Sequence, residues 1–129
     1  MAAGPAAPNP GPMLLNVAAT AEKEVSKSNM EWITLDKEIG TVGSEGGTII
    51  RDEEYEQSCR VTLEKCPKYY AITCGVYGAM VHTVFLGESD CNAKYGEIKL
   101  DLQNFIDRID EMTEDERIDF YEAFCDKYW

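Results

Sequence analysis

The chain has 129 residues, 44% of them apolar, which is the size of one domain with core enough to fold without a metal or a disulfide framework. Twenty-four Asp and Glu stand against 12 Lys and Arg, a formal charge of −12. That field repels phosphate backbones and anionic membranes, so nucleic-acid and membrane binding are not expected, and a basic protein partner is favoured.

Residues 1–12, MAAGPAAPNPGP, hold four of the five prolines and no charge, so little in them offsets the entropy of ordering. They are expected to be a disordered leader, with one α+β domain over 13–129. Residues 13–28 have Leu14, Ala18, Ala21 and Val25 at helical spacing after Pro12, which predicts a short N-terminal helix. The apolar stretch Met13 to Ala21 lacks a basic flank and is interrupted by Asn16, a poor signal peptide. No apolar run approaches the roughly 20 residues of a membrane span. The five cysteines, an odd number without a C-x-x-C pair, read as free thiols of a reducing cytoplasm, mostly core filler.

From Trp32 to Leu86 the period is two. Trp32 to Leu35 and Thr48 to Ile50 read as short strands around a glycine-rich turn (Gly40, Gly43, Gly46, Gly47). Cys59, Val61 and Leu63 alternate with Arg60, Thr62 and Glu64, which gives one buried and one wet face. Tyr69 to Val76 and Ala79 to Leu86 follow as strands with few polar residues on either face, broken at Tyr77-Gly78. One face must meet helices, and the other needs cover from the N-terminal segment or a second molecule.

After Gly87 the period becomes 3.6. Ser89 or Asp90 is the expected cap of a helix whose apolar stripe is Tyr95, Ile98, Leu102, Phe105, Ile106, Ile109 and Met112. Thr113-Glu114-Asp115-Glu116 matches a capping box, and Ile118, Tyr121, Phe124, Cys125 and Tyr128 are the expected inner side of a last helix. The expected fold is therefore α+β: a mostly antiparallel meander of about 4–5 strands, packed on one face by two C-terminal helices.

No catalytic, metal or nucleotide motif stands out. The glycine cluster lacks the G-K-[ST] ending of a phosphate loop, no calcium loop pattern occurs, and no cofactor or metal is expected. The sharpest chemical pair is Cys74 with His82: a turn near Tyr77-Gly78 sets them opposite each other, as a nucleophile and base would need. An orienting acid and an oxyanion hole are missing from the pattern, so a packed core pair is the simpler reading.

The leading functional reading is a non-catalytic acidic interaction module. It would bind a basic protein as acidic inhibitors such as the immunity proteins of nuclease toxins do, a comparison resting on charge and size alone. The acidic field concentrates in Glu88 to Trp129, with 13 acids and 5 bases, net −8. Candidate partner-binding residues are Trp32, Tyr69, Tyr77, Asp110, Glu111, Glu114 and Asp115. Two alternatives stand beside it. One is a small-molecule binding domain or a weak cysteine-dependent enzyme with a pocket lined by Trp32, Tyr70, Cys74 or His82. The other is a homodimer formed through the second sheet face.

Overall fold

The computed structural model describes residues 31–129, so the expected leader and N-terminal helix lie outside the described residues. Strands β1 (Trp32–Thr34), β2 (Thr48–Tyr55), β3 (Cys59–Lys65), β4 (Tyr70–Val76) and β5 (Met80–Leu86) form one antiparallel sheet in the order β1-β2-β3-β4-β5. Helices α1 (Glu88–Arg108) and α2 (Glu114–Lys127) follow, joined through a 3-10 turn at Ile109–Glu111. The architecture is the α+β meander with two C-terminal helices that the periodicity predicts.

Strand alternation gives the sheet two unlike faces. Tyr55, Cys59, Val61, Leu63, Ile72, Cys74, Val76, Met80 and Val84 point to the helix layer and are buried. Helix α1 lies over β3 and β4, and its Cys91, Tyr95, Ile98, Leu102, Phe105 and Ile106 fill the space between. That stripe recurs every three or four residues, the spacing that keeps one helical face on a core. Helix α2 closes against α1 through aromatic rings. Phe120 stacks on Phe105 at 4.0 Å between centroids, and Tyr121 meets Phe105 edge-on at 5.4 Å.

The capping box forms as expected: Glu116 N–H donates to Thr113 Oγ1 at 3.1 Å, and Thr113 N–H donates to Glu116 Oε1 at 2.8 Å. Three details differ from the sequence reading. The cap of α1 is Gly87, with no side-chain hydrogen bond, rather than Ser89 or Asp90, which lie inside the helix. Strand β2 runs on to Tyr55 because its charged residues find partners on the neighbouring strand and on α1. Ile118 is 44% exposed, and Phe120 takes the inner place beside Phe124 that Ile118 was expected to share.

The second face is covered only in part among the described residues. Residues 43–47 fold over Glu64, whose buried carboxylate accepts the N–H groups of Glu45 and Gly47 at 3.1 Å each. A Cβ on Gly43 would sit 2.2 Å from Glu64 Cδ, so a side chain there would displace this carboxylate. A register irregularity between Ile49 and Arg51 lets Ile49 tuck beneath the same loop while Arg51 faces the helices. Over β4 and β5, Val81 and Phe85 stay 77% and 57% exposed.

Two glycines make a matched test of this packing. A Cβ on Gly75 would sit 2.2 Å from Met80 O, whereas one on Gly96 of α1 meets nothing within 4 Å. Gly75→Ala is expected to cost about 1–3 kcal/mol, and Gly96→Ala to gain about 0.5–1 kcal/mol, both read from urea denaturation. Equal effects of the two substitutions would contradict the placement of β4 against β5.

Candidate functional site

The residues with chemical potential fall in four separate places. The first is the pair Cys74 and His82, which are direct cross-strand partners in the β4–β5 ladder, as the turn at Tyr77-Gly78 implied. Both face the helix layer. The Cys74 thiol is buried, and that burial, with a smaller contribution from Cys125, pushes its pKa up to about 12. Its hydrogen points at the His82 carbonyl oxygen, 3.6 Å away, rather than at the imidazole. The His82 ring instead sits 2.8 Å from the Tyr128 carbonyl, so Nε2 carries the proton and donates it there. Phe124 meets the ring edge-on at 6.4 Å. This geometry ties β5 to the end of α2. A thiol protonated at neutral pH, bonded to a carbonyl, is a poor nucleophile.

The second place is a charged cluster where Tyr95 and Lys99 of α1 reach Glu53 of β2. Glu53 accepts from Lys99 Nζ at 3.0 Å and from the Tyr95 hydroxyl at 2.9 Å, and Arg51 pairs with it at 3.4 Å. Burial by itself raises the Glu53 pKa. The hydrogen bonds from Lys99 and Tyr95, with the charges of Lys99 and Arg51, outweigh it and hold the carboxyl below its ordinary 4.5. The Arg51 guanidinium lies 4.0 Å over the Tyr95 ring, and Lys99 lies 5.2 Å over Trp32. Trp32 is half-buried, its indole N–H donating to Gln103 Oε1 at 3.0 Å. It therefore anchors the short edge strand to α1 instead of standing out as a free aromatic.

The third place is a groove of about 300 Å³ on the open sheet face. Ser44 and Glu64 border one side, Tyr77 and Val81 the other, with Thr62, Thr73 and Gly75 beneath. Arg60 holds the buried Asp52 through two bonds, at 2.9 and 2.5 Å, and Thr62 donates to the same carboxylate at 2.9 Å. The Tyr77 hydroxyl donates to Glu54 at 2.5 Å. Burial, then that carboxylate, pushes the phenol up to about 12. Tyr69 stacks edge-on against Phe85 at 5.5 Å, at the β3–β4 turn. Of the residues expected to line a small-molecule pocket, Cys74 borders this groove, while Tyr70, His82 and Trp32 do not. No group of three or more potential metal ligands occurs among the described residues.

The fourth place is an acidic ridge. Between Asp110 and Asp126 the chain has eight acids and one base, Arg117. All eight acids are exposed. Arg117 turns inward and donates to the Ile109 carbonyl at 3.1 and 2.6 Å, so its charge closes the helix junction. Asp115, Asp119, Glu122 and Asp126 recur at three- and four-residue spacing on the outer side of α2, where Ile118 is also exposed. Among the described residues none of these four forms a salt bridge. The candidates Asp110, Glu111, Glu114 and Asp115 belong to this ridge, whereas Trp32, Tyr69 and Tyr77 stand elsewhere. The sequence reading stopped at Asp115. The continuation through Asp119, Glu122 and Asp126 is visible in the same helical period.

All five cysteines are free thiols: Cys59, Cys66, Cys74 and Cys91 are buried and Cys125 is half-buried. Alkylation at neutral pH is expected to reach Cys125 first and the buried four only on unfolding. Fast labelling of Cys74 in the folded chain would restore it as a nucleophile. Glu53 supplies a pH test. Because its folded pKa is lowered, its contribution to stability is present above about 4.5 and is lost as pH falls through the lowered value. Wild type is therefore expected to exceed Glu53→Gln in stability near pH 7, with the gap closing in acid; a gap constant from pH 7 to pH 3 would contradict the pairing.

No helix among the described residues is long and apolar enough to cross a membrane. No protein-family model, no curated protein and no solved structure matches this chain.

Proposed function

We infer that this protein is a non-catalytic interaction module that holds a basic protein partner on the outer side of α2. The observation that carries the reading is the ridge itself. Four carboxylates without salt bridges line one side of α2 along with the exposed Ile118, on a helix whose other side is fixed into the core by Phe120, Phe124 and Tyr128. A rigid helix presents its charges at fixed spacing, so a basic surface that matches them loses little side-chain freedom on docking. The charges steer encounter, and Ile118 offers the apolar contact that a purely electrostatic face lacks. An inhibitor that shields a basic active site fits this chemistry.

The protonated Cys74 and the carbonyl-bonded His82 support a structural role for that pair and so favour binding over cysteine catalysis. The groove near Thr73 and Tyr77 is the observation on which a small-molecule reading rests, but the two charged groups around it, Arg60 and Glu64, are already engaged with Asp52 and with the backbone of residues 45 and 47.

The ridge reading is tested with wild type and an Asp115→Asn, Asp119→Asn, Glu122→Gln triple variant as baits, at low and high salt. A basic partner retained by wild type at low salt is expected to be lost both in high salt and with the variant, because exposed charge pairs are screened within about 8–10 Å. Retention that ignores both changes would overturn the assignment of the ridge.

A further inference from the structure

Among the described residues, the outer edge of β5 is an open strand edge that carries no charged side chain. Among the described residues β5 is hydrogen-bonded on one side only, to β4. Exposed edge strands usually carry devices against pairing: a lysine, a proline, a bulge, or very short length. Strand β5 has seven residues, Met-Val-His-Thr-Val-Phe-Leu, with no proline, and its register against β4 is regular throughout. The chain has no Asp, Glu, Lys or Arg between Lys68 and Glu88. In a molecule of charge −12, that stretch is where two copies meet with the least repulsion.

The backbone direction is also favourable. The carbonyl of Met80 points at β4, lying where a Cβ on Gly75 would be, and the carbonyl of His82 accepts the Cys74 thiol. Antiparallel alternation then turns the N–H and C=O groups of Val81, Thr83 and Phe85 away from β4. We propose that two copies pair antiparallel through these groups about a two-fold axis at Thr83, joining two five-stranded sheets into one of ten. Thr83 then faces Thr83 of the second copy, and each Val81 faces the other copy's Phe85.

Val81 is the most exposed apolar residue of the sheet's strands, Phe85 beside it is more than half exposed, and Tyr69 stacks on Phe85 from the adjoining turn. The pairing lays these side chains into one continuous apolar strip across the axis, on the open face. The contact is isologous and closes as a dimer. It runs along the strand edge and the open face, opposite the side on which His82 meets Phe124 and Tyr128.

Sedimentation of the full chain over about 1–100 µM tests the proposal, because a strand-edge contact of modest area falls in the micromolar range. Wild type is expected to shift with concentration from 14.5 kDa toward twice that mass. Thr83→Lys, which sets two ammonium groups against each other on the axis, is expected to weaken the dimer by at least about tenfold. Val81→Lys, at an exposed position, serves where the first variant fails to fold. Hydrogen exchange on wild type needs no variant: the amides of Val81, Thr83 and Phe85 are expected to gain protection as concentration rises. A wild-type monomer throughout, a dimer indifferent to both lysines, or β5 amides protected equally at every concentration would each overturn the proposal. The last result would place another part of the same chain on the edge.

Discussion

The burial of one sheet face beneath α1 is the interaction on which the rest of the structure depends. Tyr95, Ile98, Leu102 and Phe105 are inaccessible to solvent, and so are Val61, Leu63 and Ile72 across from them. Full burial of each such side chain contributes on the order of 1.5–3 kcal/mol before conformational entropy is charged against it. Without α1 the meander would be a single layer with both faces wet, which a sheet this apolar does not sustain. Every other feature of the described residues is placed relative to this layer. His82 and Tyr128 tie the last strand to the last helix, Lys99 and Tyr95 hold the charged strand β2, and Gln103 holds Trp32 of the edge strand.

Covering one face with helices divides the molecule into two chemically different sides. On the helix side, the inner surface of α2 is committed to the aromatic cluster of Phe105, Phe120, Tyr121 and Phe124, so its acids are left outward. On the open side, the loop tip at residues 43–47 covers β3 and leaves β4 and β5 with an uncharged apolar surface. The two proposed modes of association rest on different surfaces, the exposed acids of α2 and the uncharged edge of β5. One is electrostatic and screened by salt, and the other is apolar with backbone hydrogen bonds. Their opposite response to ionic strength distinguishes them in solution.

Much of the fold was legible because its signals are local. The alternation of Cys59, Val61 and Leu63, the turn at Tyr77-Gly78 and the Thr113 capping box depend on neighbours within a few residues, and each took the expected form. The pairing of Cys74 with His82 follows from the turn alone. Strand β2 was read short because Arg51, Asp52, Glu53 and Glu54 look like a solvated run. Their partners, Arg60 and Thr62 for Asp52, and Tyr95 and Lys99 for Glu53, lie 8 to 46 residues away. Ile118 was placed inside because it matches the spacing of Tyr121 and Cys125. The flat stack of Phe120 on Phe105 rotates the helix so that Ile118 turns outward, a tertiary choice that the period does not encode. The candidate binding residues were legible as types but not as a group: the carboxylates share one ridge, while Trp32 packs under Lys99 and Tyr77 reaches across the open face to Glu54.

Native-state hydrogen exchange on the wild type and on Leu102→Ala tests the central claim, the joint stability of α1 with the sheet, most directly. If α1 is the layer on which the sheet depends, the amides of β3, β4 and the middle of α1 exchange with one common, slowest opening free energy. Leu102→Ala then lowers that value for all three together, by about 2–5 kcal/mol. Exchange of α1 at a lower free energy of its own, with β3 and β4 unmoved by the substitution, would contradict the account.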